Sequence, residues 1–211
     1  MDSPAQARAY ASADFADVNS RFVERFVGAF PEFSRGDVAD LGCGPADISL
    51  RLARALPACR VTAVDGSLPM LTLAREAARV AGQESRVAAI AARVPSLPFE
   101  SSRFDAVISN SLFHHLADPD GGWAEVRRIA RRGAPLFVMD LFRPATREDA
   151  ARIVEEAAGD EPEILRSDFY NSLCAAFRVE EVRAQLERAG LEGCTCEIVS
   201  ERHWLVHGLL R

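Results

Sequence analysis

Apolar residues recur along this chain in two rhythms, and their alternation predicts the architecture. Phe15, Val18, Phe22, Phe26, Ala29 and Phe30 return every three or four positions, the stripe of an amphipathic helix that Pro31 and Gly36 bring to an end. VADLG (38–42) then reads as a short buried strand, followed by a helix with Ile48, Leu52, Ala55 and Leu56 on its inner face. The unit repeats as strand VTAVD (61–65), a helix capped by Ser67 with Leu68, Leu71, Ala74 and Ala78 on one side, and strand RVAAIA (86–91). After a loop with two prolines come strand FDAVIS (104–109), a short helical stretch, and a helix over 120–132 with Gly133 as its stop. PLFVMDLF (135–142) is a fifth strand. None of these strands shows the period-two alternation of a half-exposed sheet. Strands buried on both faces and separated by helices indicate an α/β fold, a doubly wound and mostly parallel sheet.

The rhythm changes after residue 142. Residues 143–177 read as a helical insertion, with Leu165, Phe169, Leu173 and Phe177 spaced by four, and a helix over 178–189 is closed by Gly190. CTCEIVS and RHWLVHG are two more strands joined by a short turn, which only antiparallel neighbours allow. The expected whole is a Rossmann-like, seven-stranded sheet with an antiparallel last strand, in a single domain over 1–211.

Composition removes several chemistries. All 25 basic residues are arginine, so there is no phosphate-binding lysine, no Schiff-base lysine and no tyrosine–lysine dehydrogenase pair. A net charge of −6 argues against a nucleic-acid partner, although Arg127, Arg128, Arg131 and Arg132 form a local patch, expected as a solvated helix face. No apolar run reaches the roughly 18 residues of a membrane span. The first fifteen residues lack a secretory signal, so a cytoplasmic protein without stable membrane insertion is expected. Five scattered cysteines form no disulfide framework. Cys194 and Cys196 lack a second pair at zinc spacing, so no metal site is expected and they read as core-facing strand residues.

The stretch DLGCGPADISLRLA (40–53) carries the candidate chemistry. Gly42-x-Gly44-x-x-Asp47 lacks the third glycine of a dinucleotide fingerprint, and Asp40 and Asp47 would repel a pyrophosphate. Both carboxylates favour a ligand with a sulfonium and an ammonium, whose own carboxylate meets loop N–H groups. Asp65, closing the second strand, suits the two hydroxyls of a ribose, or else caps the next helix through VDGS.

Taken together, DLGCGPADISLRLA, VTAVDGSLPMLTLAR and ARVPSLPFESSRFDAVISNSLFHHLADP resemble the class I S-adenosylmethionine-dependent methyltransferases, and within them the ubiquinone/menaquinone biosynthesis branch. The resemblance covers about residues 36–142. It implies S-adenosylmethionine as cofactor and methyl transfer to a small, partly apolar acceptor. It also implies a helical lid over 1–35, a cofactor-binding core over 36–142, an acceptor-side insertion over 143–177, and a C-terminal helix and hairpin over 178–211. Carried over by position, Asp40, Gly42, Cys43 and Gly44 shape the methionine side, while Asp65, Gly66 and Ser67 lie at the ribose. Arg93 and Val94 flank the adenine, and Ser109 and Asn110 form the floor. Two positions depart from the family. Ala46 replaces a third glycine and, being nearly as small, is expected to do little harm. Arg93 replaces an acid that accepts from the adenine, which arginine cannot do.

Transfer from a sulfonium needs a base only when the acceptor arrives protonated. The candidates are His115, Asp140 and Tyr170, with His114 beside them on a short helix that turns at most one histidine to the pocket. The asparagine-proline-proline-tyrosine signature of amino-group methylases is absent, since the chain reads SNSLF. The rival readings are a non-catalytic binder of the same cofactor, transfer of a group other than methyl, and an NAD(P)-dependent oxidoreductase. The sequence sets no oligomeric state.

Overall fold

The computed structural model describes residues 3–13 and 15–211, so residues 1, 2 and 14 of the expected N-terminal segment lie outside the described residues. Seven strands form one sheet in the order β3-β2-β1-β4-β5-β7-β6. They are β1 (Arg35–Leu41), β2 (Ala58–Asp65), β3 (Val87–Ala91), β4 (Ala106–Asn110), β5 (Pro135–Leu141), β6 (Cys194–Ser200) and β7 (His203–Leu209). The first five pair in parallel, with Val38 opposite Val61 and Ala39 opposite Val107. β7 runs antiparallel to both β5 and β6. The order reverses at β1/β4, and in open α/β sheets the crevice beyond the carboxyl ends at such a point is where ligands bind.

Burial explains why the strands read as unbroken apolar runs. All seven residues of β5 are buried, and they alternate between two cores. Phe137 and Met139 face one, where Phe22 and Phe26 of α2 (Ala16–Ala29) meet the Phe137 ring edge-on at 5.0 and 5.7 Å. Leu136 and Val138 face the other, built around Trp123, Phe113 and Trp204. Period-two alternation is present, but it sorts residues between two dry faces instead of between core and water.

The remaining helices are α1 (Pro4–Ser12), α3 (Asp47–Ala55), α4 (Leu68–Val80), α5 (Pro119–Ile129), α6 (Arg147–Ala158), α7 (Glu163–Ala175) and α8 (Val179–Arg188). Ser67 caps α4 as expected, its Oγ accepting from the Met70 N–H. α5 stops four residues before Gly133, because its last carbonyls are taken by the β4 approach: Ser102 N–H donates to Arg128 O, and Arg103 and Phe104 N–H to Ile129 O. The arginine patch there is more than a solvated face. Arg128 grips Glu125 and the Leu97 and Phe99 carbonyls, and Arg131 pairs with Asp105.

The insertion is a helical pair. α6 and α7 close a small core of Leu141, Ala150, Val154 and Leu173 over the carboxyl end of β5. The Leu165–Phe177 stripe divides, because α7 ends at Ala175 and Ala176 turns extended. Leu173 is core, Leu165 and Phe169 wall a cavity, and Phe177 bridges to Phe142 outside the helix.

Candidate active site

The loop after β1 is held open by its backbone. Gly42 (φ +72°) and Gly44 (φ +53°) occupy the left-handed region that glycine enters without a Cβ penalty. The N–H groups of Gly42 and Cys43 both donate to Val64 O, at 2.8 and 3.0 Å, and Gly44 N–H donates to Asp65 Oδ2 at 2.9 Å. Asp65 Oδ1 accepts from Ser67 N–H at 2.8 Å. One carboxylate thus staples the glycine loop to the start of α4, and the loop amides expected to meet a ligand carboxylate are already engaged. A Cβ at Gly42 would lie 2.9 Å from that of Leu112, whereas one at Gly44 meets nothing nearer than the Tyr10 ring at 3.9 Å. Gly42→Ala is therefore expected to cost about 1–3 kcal/mol, read as a lower denaturation midpoint.

Ala46 also sits at φ +67°. Size is not what glycine supplies here: an L-residue in this region costs roughly 1–2 kcal/mol. The methyl is fully buried in the α2–α3 core, which returns about 0.8 kcal/mol of that cost.

Asp40 lies beneath the loop, 2% exposed, its Oδ2 accepting from Ser49 Oγ at 2.5 Å. Burial pushes its carboxyl up to about 7; the Ser49 hydrogen bond opposes the shift and the Asp65 charge adds to it. Asp47 is outside the fully dry region, bound by Arg51 at 2.7 Å and Asn19 at 2.9 Å.

Three cavities converge over this edge of the sheet. One of about 340 Å³ runs past Asp65, Gly66, Ser67, Arg93 and Val94. A second, of about 520 Å³, lies along Asp40, Gly42, Cys43 and Gly44. The third, of about 220 Å³, lies under α6 and α7. Tyr10 and Asn110 line all three, so they mark the junction. The Asn110 Oδ1 is buried there without a hydrogen-bond partner, and burial beside Asp65, Asp140 and Asp47 pushes the Tyr10 phenol up to about 12. Tyr10 arrives on α1, which packs across α4 and α7.

Among the sequence-expected binding residues, Ser109 is the one the structure leaves out of these cavities. It is fully buried and donates its Oγ–H to Leu41 O at 2.8 Å, tying β4 to β1. Its place in the wall is taken by Ser111. Tyr170 also lies off the cavities; it packs beside the α6–α7 core.

The two histidines depart from expectation in a more useful way. Both line the third cavity from the short 3₁₀ turn Phe113–His115, their rings 4.0 Å apart. His114 is the one joined to Asp140, with Nδ1 2.5 Å from Oδ1. Asp140, fully buried, also accepts from the His114 and Leu141 N–H groups at 3.2 and 2.7 Å. A carboxylate accepts only, so Nδ1 carries a proton, and in the neutral imidazole Nε2 is the nitrogen left with the lone pair. That Nε2 is buried and has no partner. His115 is neutral, its pKa lowered to about 4 by burial and by His114.

Sequence reasoning missed Arg202 and His203, which line the third cavity. Their signal was topological: β7 is antiparallel to β5, so the turn before it returns to the carboxyl edge, where His203 faces Leu141. Burial, reinforced by the Arg202 charge, lowers the His203 pKa to about 4.

Residues 38–133 match the family model described as a methyltransferase domain. The chain is 28% identical over 194 residues to 27-O-demethylrifamycin SV methyltransferase of Amycolatopsis mediterranei, covering 90% of this chain and 66% of that one. It is 32% identical over 122 residues to 2-phytyl-1,4-naphtoquinone methyltransferase of Trichormus variabilis, covering 57% and 52%. The chain thus spans between half and two thirds of the length of these relatives. A SAM-dependent methyltransferase from Aquifex aeolicus superposes over 100% of both chains with a TM-score of 0.72 at 18% identity, a likeness of fold. Over residues 38–133 the chain is thus similar to the methyltransferase-domain family, and its seven-stranded sheet shares the fold of the Aquifex aeolicus protein.

Proposed function

We propose that this protein transfers a methyl group from S-adenosylmethionine to an oxygen of a small-molecule acceptor. The observation that carries the reading is His114: its ring is fixed through Nδ1 by Asp140, its Nε2 is buried without a partner, and the residue lines a cavity that meets the glycine-loop crevice at Tyr10 and Asn110. The residues present suit the donor. Asp40 and Asp65 give the crevice the negative character that an ammonium and sulfonium require, and the bare face of Gly44 leaves room against the backbone. The donor supplies an activated methyl and a good leaving group. The chain's own task is to align the acceptor, exclude water and take a proton. Asp65 holds the loop and offers its remaining lone pairs to ribose hydroxyls. Asn110 and Tyr10 bound the transfer point. His114 Nε2 accepts the acceptor's hydroxyl proton, and Asp140 stabilises the imidazolium that results. Phe15, Leu165 and Phe169 wall the acceptor.

The domain division follows: 36–142 for the donor, α1 and α2 as cover, and the 143–177 helices with the final hairpin for the acceptor. The five free cysteines support a reducing, cytoplasmic setting. Among the described residues no helix is long and apolar enough to cross a membrane.

Calorimetric titration with S-adenosylmethionine and S-adenosylhomocysteine tests the donor assignment. Both are expected to bind, and Asp65→Ala is expected to weaken both by about tenfold or more, since ribose hydroxyls and two backbone amides lose their acceptor. Undiminished binding by the variant removes Asp65 from the site. Labelled methyl transfer into a metabolite extract tests the activity, and label appearing on nitrogen or carbon alone excludes the oxygen acceptor.

A further inference from the structure

Arg202 is the one guanidinium among the described residues lining the acceptor cavity, delivered there by the β6–β7 turn. Its guanidinium carbon lies 5.7 Å from the centroid of the Phe169 ring, and it makes no ion pair among the described residues. An arginine parked on an aromatic face keeps its in-plane N–H donors free. The cavity continues past Val18, Arg202 and His203 into a second hollow of about 400 Å³, whose rim carries Arg21 and Arg25 from α2. The acids on that side are Glu156, bound by Arg152 at 3.0 Å, and the exposed Glu201. Glu161 and Asp168 also line the cavity, the latter accepting from Gln6 Nε2 at 3.3 Å.

Size narrows the occupant further. About 220 Å³ lies below the roughly 300–1,000 Å³ of drug-sized sites. It holds a ring flanked by Phe15 and Phe169 but not a long isoprenoid tail, and the hollow beyond is lined by charged side chains. We propose that the acceptor is a hydroxylated aromatic acid: its hydroxyl meets His114, its ring lies between Phe15 and Phe169, and its anionic arm, a carboxylate or phosphate, is held by Arg202 with Arg21 and Arg25 around the exit. This assignment rests on the methyltransferase reading and adds the acceptor's charge to it.

The test uses the full chain saturated with S-adenosylhomocysteine and titrated with matched acid and amide pairs: meta-hydroxybenzoate, para-hydroxyphenylacetate and para-hydroxycinnamate, each against its carboxamide. At least one acid is expected to bind about tenfold tighter than its amide, the worth of a charge-assisted hydrogen bond. Arg202→Gln removes the preference, Arg202→Lys retains part of it, and neither changes S-adenosylhomocysteine affinity. Phenyl phosphate run against benzoate decides between phosphate and carboxylate. The proposal is overturned if no acid binds at millimolar concentration, if acid and amide bind alike, or if the preference survives Arg202→Gln. Failure of the wild-type chain to bind S-adenosylhomocysteine sinks the methyltransferase reading instead, and that is read separately in the same sample.

Discussion

His114→Gln is expected to lower turnover of the oxygen acceptor by about 10²- to 10⁴-fold, the usual worth of a positioned base, while S-adenosylhomocysteine affinity stays at the wild-type value. Glutamine is the informative replacement. It fills most of the imidazole volume and keeps the backbone N–H that donates to Asp140 Oδ2. Its side-chain amide can donate to Asp140 Oδ1 but places no basic lone pair in the cavity. The loss belongs in kcat, with KM little changed, because proton acceptance matters in the transition state and not in ground-state binding. Asp140→Asn lowers kcat as well, since a side-chain amide no longer enforces the Nδ1–H tautomer. That variant also unsettles a carboxylate bound by three donors, so its stability must be measured alongside. His115→Gln is the control: its ring is neutral, holds no carboxylate, and its loss costs less than that of His114. Equal turnover by His114→Gln and the wild type would exclude a base at this position.

The sheet was legible in the sequence because a strand buried on both faces leaves a mark that local chemistry cannot imitate, an apolar run closed by glycine or proline. Asp40, the glycine loop and Asp65 were legible for a related reason. They sit where parallel strands end, and chain order alone fixes that edge. What the sequence hid was set by tertiary geometry. His114 and His115 are adjacent in sequence, and only the tight turn between β4 and α5, with Asp140 arriving from β5, decides which one acquires a partner. Ser109 reads like any polar residue at a strand end, yet strand pairing spends its hydroxyl on Leu41 O. Ala46 was judged by size, whereas its cost lies in a backbone angle that composition does not reveal. Arg202 and His203 needed the antiparallel return of the last hairpin before they could be placed at all.

Asp40→Asn is expected to move stability and donor affinity in opposite directions. Burial raises the folded-state pKa of Asp40 to about 7, above its ordinary 3.8. Between these values the folded chain holds a proton that the unfolded chain has released, so this group's contribution declines as pH rises through that window and is at its most unfavourable above it. The interval corresponds to at most about 4 kcal/mol. Asparagine carries no charge to desolvate, and its amide oxygen still accepts from Ser49 Oγ. The variant should thus gain about 2–4 kcal/mol at pH 8, some 5–15 °C in midpoint for a chain of this size. The gain should shrink to nothing near pH 4, where both forms are neutral. Donor binding reads the same group from the other side. A cationic ligand favours the carboxylate, so wild-type affinity should fall below about pH 7 with release of a proton, whereas the asparagine variant should bind more weakly and with little pH dependence. A variant no more stable than the wild type at pH 8, or one gaining equally at pH 4, would show that Asp40 carries no such penalty. Opposed shifts would mean that the fold keeps a costly buried carboxylate because the ligand needs its charge, a stability cost set directly beneath the functional crevice.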